Sequence, residues 1–218
     1  MSDDDLRRRV VAELGGDPRL DGETFQASAA GGTVTLSGTV ASLRLKRAAA
    51  GAVARVRGVV WIVNELRVRL PAADRRDDEE LRGDVREALM LDTSIPTTVD
   101  ALARDGLVTL TGTAEWHYER EAAESRVASV PGVMGIDNAI TLTQTPDADA
   151  AREFITGAFQ RNAALAADAL SVKTSSGGLV TLSGTVSSWA AHDQAVAAAW
   201  SAPGVTQVDN RIRVMSKP

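Results

Sequence analysis

The chain contains no cysteine among its 218 residues, which excludes disulfides, thiolate metal sites and thiol nucleophiles. Aromatic residues make up only 4%, and there are just two histidines, His117 and His192. No second histidine or cysteine lies near either one, so neither belongs to a zinc set; both are expected on the solvated surface. No apolar run approaches the roughly 20 residues needed to span a bilayer. The opening stretch, MSDDDLRRRVVAELGG, is charged and lacks the apolar core of a secretory signal, so the expected compartment is the cytoplasm, with peripheral membrane contact left open. Basic charge is in deficit: the formal net charge is −5, which argues against the basic stripe of a nucleic-acid binder. The imbalance is uneven, at +2 for residues 1–74, −7 for 75–146 and 0 for 147–218.

Catalytic constellations are missing too. Ser37 and Ser183 sit in TLSGT, which is not a G-x-S-x-G elbow, and Thr111 takes their place in the middle of the chain. Neither a dinucleotide-binding nor a P-loop glycine pattern occurs. Glu115, Glu119, Glu121 and Glu124, interleaved with Arg120 and Arg126, read as a solvated helix face rather than paired acid–base carboxylates. The chain is therefore expected to be non-enzymatic, with no catalytic residue, no metal site and no cofactor.

One pattern is written three times. Gly38, Gly112 and Gly184 are each followed 20 residues later by Gly58, Gly132 and Gly204, and six residues further by Asn64, Asn138 and Asn210. Successive copies are offset by 74 and 72 residues. A period of this kind organises everything else. It divides the chain into domains over 1–72, 73–146 and 147–218, joined by the short linkers 70–78 and 143–150. Units of about 70 residues bury only about 60% of their unfolded surface and are marginal alone, so they are expected to lean on one another.

Within each copy the same elements follow in order. Leu6, Val10 and Leu14 mark a first helix behind three aspartates; Leu81, Val85 and Leu89 mark another behind Asp77–Glu80; Phe154, Ile155, Ala158 and Phe159 mark a third. The pairs Gly31-Gly32, Asp105-Gly106 and Gly177-Gly178 signal two-residue hairpin turns. Strands are expected over 24–30 and 33–40, 98–104 and 107–113, and 170–175 and 179–186. Val34, Leu36, Gly38 and Val40 share a packed face, where glycine would admit a helix backbone; Thr35, Ser37 and Thr39 share the other. A second helix over 43–56 buries Ala49, Val53 and Val56. Ala123, Val127 and Val130, then Ala195, Ala199 and Ala202, repeat that stripe, and Gly58, Gly132 and Gly204 are expected to cap the helix. A last strand over 59–69, 133–143 and 205–215 places each asparagine among apolar neighbours, where its amide needs partners and is expected to tie down a loop of its own domain. The fold class is α+β: three tandem two-layer αββαβ domains, each with two helices on a three-stranded mixed sheet.

GxVTLSGTV, an alanine-rich helix and then V.GV..V.N.L.V resemble the BON domain, named from bacterial osmotically inducible and nodulation-type proteins. The resemblance spans nearly the whole chain, in three copies where commoner members have one or two. It implies an αββαβ fold and a non-enzymatic role in osmotic or envelope stress. It also implies binding of anionic phospholipid, a chaperone-like activity or, in some members, binding of potassium.

Two surface features fit such binding. Arg44, Lys46 and Arg47 cluster at the start of the first copy's second helix, with Arg55 and Arg57 near its end. Basic residues beside an anionic bilayer contribute about 1 kcal/mol each. Trp116 and Trp189, near the start of the equivalent helices, suit a bilayer interface or a protein partner, or else the seams between domains. Trp61 and Trp200 each replace a non-aromatic residue of the other copies and are expected to serve packing. The leading expectation is a stress-associated binding or scaffold protein on anionic phospholipid or an envelope partner. A potassium-binding module and a chaperone-like module are the alternatives.

Overall fold

The computed structural model describes residues 2–162, 165 and 169–215. Each copy folds in the expected order. In the first, α1 (Asp3–Gly15) precedes strands β1 (Thr24–Ala30) and β2 (Thr33–Val40), then α2 (Leu43–Ala54) and β3 (Trp61–Val68). The second has α3 (Asp78–Met90), β4 (Asp100–Arg104), β5 (Leu107–Thr111), β6 (Thr113–Ala114), α4 (His117–Val127), β7 (Gly135–Asn138) and β8 (Thr141–Leu142). The third has α5 (Ala148–Arg161), β9 (Leu170–Thr174), β10 (Leu179–Val186), α6 (Trp189–Trp200) and β11 (Gln207–Val214).

In every sheet the second strand is central, antiparallel to the first and parallel to the last. The parallel register is the same in all three: Leu36 faces Asn64, Leu110 faces Asn138 and Leu182 faces Asn210. The short pair β6/β8 keeps the register of β5/β7, with Thr113 opposite Thr141, so the middle sheet is the same sheet interrupted at Gly112. Both helices of a copy pack on one face of its sheet. Leu6, Val10 and Leu14 of α1 meet Val34, Leu36 and Val40 of β2 and Ala49 and Val53 of α2 in one core; equivalent residues build the other two cores. The opposite face of the central strand carries Thr35 and Ser37, or Thr109, or Thr181 and Ser183. Phe154 departs from the expected stripe: it is 40% exposed, and Ala151 is buried in its stead.

The glycines play roles other than those expected. Gly38, Gly112 and Gly184 have φ of 128°, 116° and 127°, in the left-handed region that glycine alone enters without strain. A Cβ at Gly38 would lie 2.9 Å from the Thr24 carbonyl oxygen, and one at Gly112 would overlap that of Thr98. It is therefore the neighbouring strand, not a helix, that approaches closely. Gly58, Gly132 and Gly204 do not cap the second helices, whose C-caps are Arg55, Ala128 and Ser201. They take positive φ in the following turns, closed by Val59 N–H to Val56 O, Val133 N–H to Val130 O and Val205 N–H to Ala202 O. Glycine at the third position, after Pro131 or Pro203, is the arrangement of a type II turn. The first two hairpins are two-residue turns with positive φ at both positions; the third is longer, because Val180 pairs with Thr174 and only Gly178 has positive φ.

The three asparagines lie where expected but hold a helix rather than a loop. Asn64 Nδ2 donates to the carbonyl of Lys46, and its Oδ1 accepts from Leu66 N–H. Asn138 does the same with Arg120 and Ile140. Asn210 accepts from Ile212 N–H and turns its amide to the His192 ring, at the position equivalent to Lys46 and Arg120. Each therefore fastens the last strand to the second helix.

The copies pack through equivalent positions. Leu43, His117 and Trp189 are each the first residue of a second helix. Leu43 is buried in the core of the second domain, His117 stacks on Trp200 of the third, and Trp189 packs against the core of the first. Each domain thus seats the same position on another domain, and the three seats close on themselves.

Candidate functional site

The second helices α2, α4 and α6 form the seams between domains, and the sequence-predicted binding residues fall along them. Serine caps α2 and α6: Ser42 accepts from Leu45 N–H and Ser188 from Ala191 N–H. In α4 the same position is Trp116, and Glu119 reaches back instead, accepting from the N–H groups of Glu115 and Trp116. Glu119 thus pairs the two N–H groups just before the helix, and its own N–H, which a capping serine would hold, bonds the Trp116 carbonyl.

The first seam, between α2 and α4, is a groove of about 330 Å³ lined by Arg19, Arg44, Arg47, Arg55, Ser125 and Ser129, among others. Arg47 is paired with Glu124 across the seam. Arg55 Nε lies 2.9 Å from Glu13, and its Nη2 lies 3.4 Å from Asp17. Arg19 bonds Asp17 through backbone N–H and Nε. Those Arg19 bonds hold the Asp17 carboxyl far below the usual range, against the opposing effect of its burial. Arg44 is exposed and has no carboxylate partner among the described residues. Lys46 is half-buried and does not line the groove; its carbonyl holds Asn64.

The second seam, between α4 and α6, is a cleft of about 340 Å³ lined by Trp116, His117, Tyr118, Glu121, Asp193 and Trp200, among others. The His117 and Trp200 rings stack with centroids 3.7 Å apart and planes 8° from parallel. His117 is not the exposed surface residue expected: its side chain is 13% exposed, and Nδ1 is buried without a hydrogen-bond partner. Burial pushes its pKa down to about 4, Arg120 adds to the shift and Glu124 opposes it. Glu121 is shifted up by partial burial and by the Glu124 carboxylate, with Arg120 opposing.

At the third seam Trp189 sits edge-on to His192, centroids 4.7 Å apart. His192 too is largely enclosed, at 16% side-chain exposure. Trp200 packs as expected, but Trp61 is 60% exposed on the open face of the first sheet. The five predicted binding residues therefore do not form one patch. Arg44 and Arg47 share the first groove, Trp116 lines the second cleft, Trp189 is engaged in the third seam, and Lys46 stands apart. Sequence reasoning missed Arg19, which follows α1 in a 3-10 turn over Pro18–Leu20 and carries no periodic signal. It also missed the shared register of Leu43, His117 and Trp189, which aligning the copies residue by residue displays.

Among the described residues no group of three or more His, Cys, Asp or Glu side chains could hold a metal ion, and no helix is long and apolar enough to cross a membrane. A tandem of small αββαβ domains, with two grooves at the seams between them, defines a repeat protein. The BON domain model matches three times, over residues 2–69, 77–144 and 147–216, and the chain belongs to the BON domain family. No curated protein matches. Two solved structures of CdsD, a structural protein of the Type III secretion system of Chlamydia trachomatis, align with 14% identity each. They cover 98% and 99% of this chain and 93% and 100% of theirs, at TM-scores of 0.25 and 0.26. At those scores the overlays carry nothing about what this chain does.

Proposed function

We propose that this BON protein is a non-catalytic binding scaffold whose α2/α4 groove makes peripheral contact with the phosphate of anionic phospholipid. The observation behind this reading is the convergence of four guanidinium groups, from Arg19, Arg44, Arg47 and Arg55, on one groove between two domains. Three carboxylates, Glu13, Asp17 and Glu124, pair with three of them. Each guanidinium has five donors in a rigid fork, and a single carboxylate leaves some unused. A phosphate entering the groove meets Arg44 and the remaining donors of its neighbours. With only one unpaired positive charge the attachment is weak and salt-sensitive; Arg44 itself contributes about 1 kcal/mol at an anionic surface.

Co-sedimentation of the purified protein with anionic and neutral vesicles at low and moderate salt tests the proposal. Binding to anionic vesicles is expected to exceed that to neutral ones, and the excess is expected to disappear as salt rises. Arg44→Glu, which breaks no ion pair, is expected to reduce it about thirtyfold, since it removes one favourable charge of about 1 kcal/mol and adds an unfavourable one of similar size. Binding that survives Arg44→Glu unchanged would remove the groove from the mechanism. No binding at low salt would transfer the function to a protein partner or to potassium, and potassium titration against sodium would come next.

A further inference from the structure

The two grooves occupy equivalent seams but carry opposite chemistry. Arg47 of α2, Glu121 of α4 and Asp193 of α6 are equivalent positions, as are Glu124 of α4 and Val196 of α6. In the first seam Arg47 meets Glu124, so the charge is balanced from within. In the second, Glu121 has Val196 across from it where Arg47 has Glu124, and a second carboxylate, Asp193, lines the same cleft. No arginine or lysine lines it. Three aromatic side chains share the wall with Ala197 and Ser201: Trp116 at the cap of α4, Tyr118 of α4 and Trp200 of α6. Tyr118 is 59% exposed, and its ring has no role in a core.

Aromatic faces attract cations through their quadrupole, and the attraction is larger where water is partly excluded. Carboxylates add Coulomb attraction, but a small, strongly hydrated metal ion gains little from indole and phenol rings. A bulky, weakly hydrated organic cation gains from both. The cleft, at about 340 Å³, is in the range of small-molecule pockets and accepts a group of that size. His117, neutral and stacked on Trp200, keeps the floor apolar and uncharged.

We infer that the α4/α6 cleft is a binding site for a quaternary ammonium group, held by Trp116, Tyr118 and Trp200 and charge-balanced by Glu121 and Asp193. This site is separate from the arginine groove and does not depend on the phospholipid reading. The trimethylammonium group can come from a soluble compound or from a choline headgroup at a lipid surface, and the chemistry of recognition is the same.

Isothermal titration of the full chain with choline chloride and tetramethylammonium chloride, against sodium chloride at equal ionic strength, tests the site. A second arm uses neutral phosphatidylcholine vesicles in co-sedimentation. A saturable one-to-one heat is expected for the organic cations and none for sodium. Tyr118→Ala, and separately the double variant Glu121→Gln with Asp193→Asn, are each expected to weaken binding at least tenfold. Thermal melts matching the parent would show that the variants remain folded. Binding seen only with vesicles, and lost in both variants, would assign the site to the lipid headgroup. No saturable binding in either arm, or binding unchanged in both variants, would overturn the inference. Anionic-vesicle binding that responds to Arg44→Glu but not to Tyr118→Ala keeps the two grooves distinguishable.

Discussion

At the scale of single residues, the glycines separate into those that geometry requires and those it does not. Gly112 combines a φ of 116° with a direction in which a Cβ would overlap the Thr98 carbonyl oxygen. Both the backbone strain and the steric overlap oppose any side chain there. Gly112→Ala is expected to destabilise the protein by about 2–4 kcal/mol, read as a lowered urea midpoint. Gly83, inside α3, is exposed, has ordinary φ and would leave its Cβ with nothing within 4 Å. Gly83→Ala is expected to raise stability by about 0.5–1 kcal/mol. Equal effects from the two substitutions would show that the backbone conformation at Gly112 does not need its glycine. Position 112 was legible as special because the glycine recurs, but its reason was not: positive φ and strand approach are properties of the folded backbone.

At the scale of elements, the seam between α4 and α6 depends on an uncharged imidazole. The ordinary His117 value of 6.5 is lowered to about 4 by burial against Trp200. Protonation is therefore easier in the unfolded chain than in the folded one. The contribution is fully present above about pH 6.5 and is lost as pH falls toward 4, by on the order of 2–3 kcal/mol. Urea titrations between pH 7.5 and 4.5 are expected to show this loss, and His117→Phe, which can still stack, should flatten it. A profile identical in the variant would place the acid sensitivity elsewhere. Secondary structure itself was largely legible. Apolar spacing located α1, α3 and both faces of β2, while the third hairpin was misread because Gly177-Gly178 resembles a tight turn. In the folded chain Ser175 N–H and Oγ–H both reach the Leu179 carbonyl, and the loop between β9 and β10 opens to four residues, 175–178.

At the scale of the whole molecule, each seam ties one domain's stability to another's. Trp189 belongs to the third copy yet packs on the first core. Trp189→Ala is expected to lower hydrogen-exchange protection in β1, β2 and β3 by about 1–3 kcal/mol, as well as in its own domain. Protection in the first domain that stays at the parent level would mean that the seats do not couple. The architecture gives this coupling a reason: each domain is near the lower size limit for an independent core, and the seams add the burial that each lacks.

What the sequence determined by itself was everything with a local or periodic basis. That comprises the three copies and the αββαβ order, the packed and polar faces of each strand, and the asparagine in the last one. Helix and strand periods and turn residues act over a few positions, so they can be read along the chain. Only the tertiary structure decided which surfaces face each other. Arg47 and Glu124 are 77 residues apart, and nothing local announces their pairing. His117 was expected in solvent and is largely enclosed, and Trp61 was expected to serve packing and is exposed, for the same reason. Burial at a seam depends on the shape that the partner domain offers, as Trp200 does for His117. The basic groove and the acidic aromatic cleft exist only where two such shapes meet.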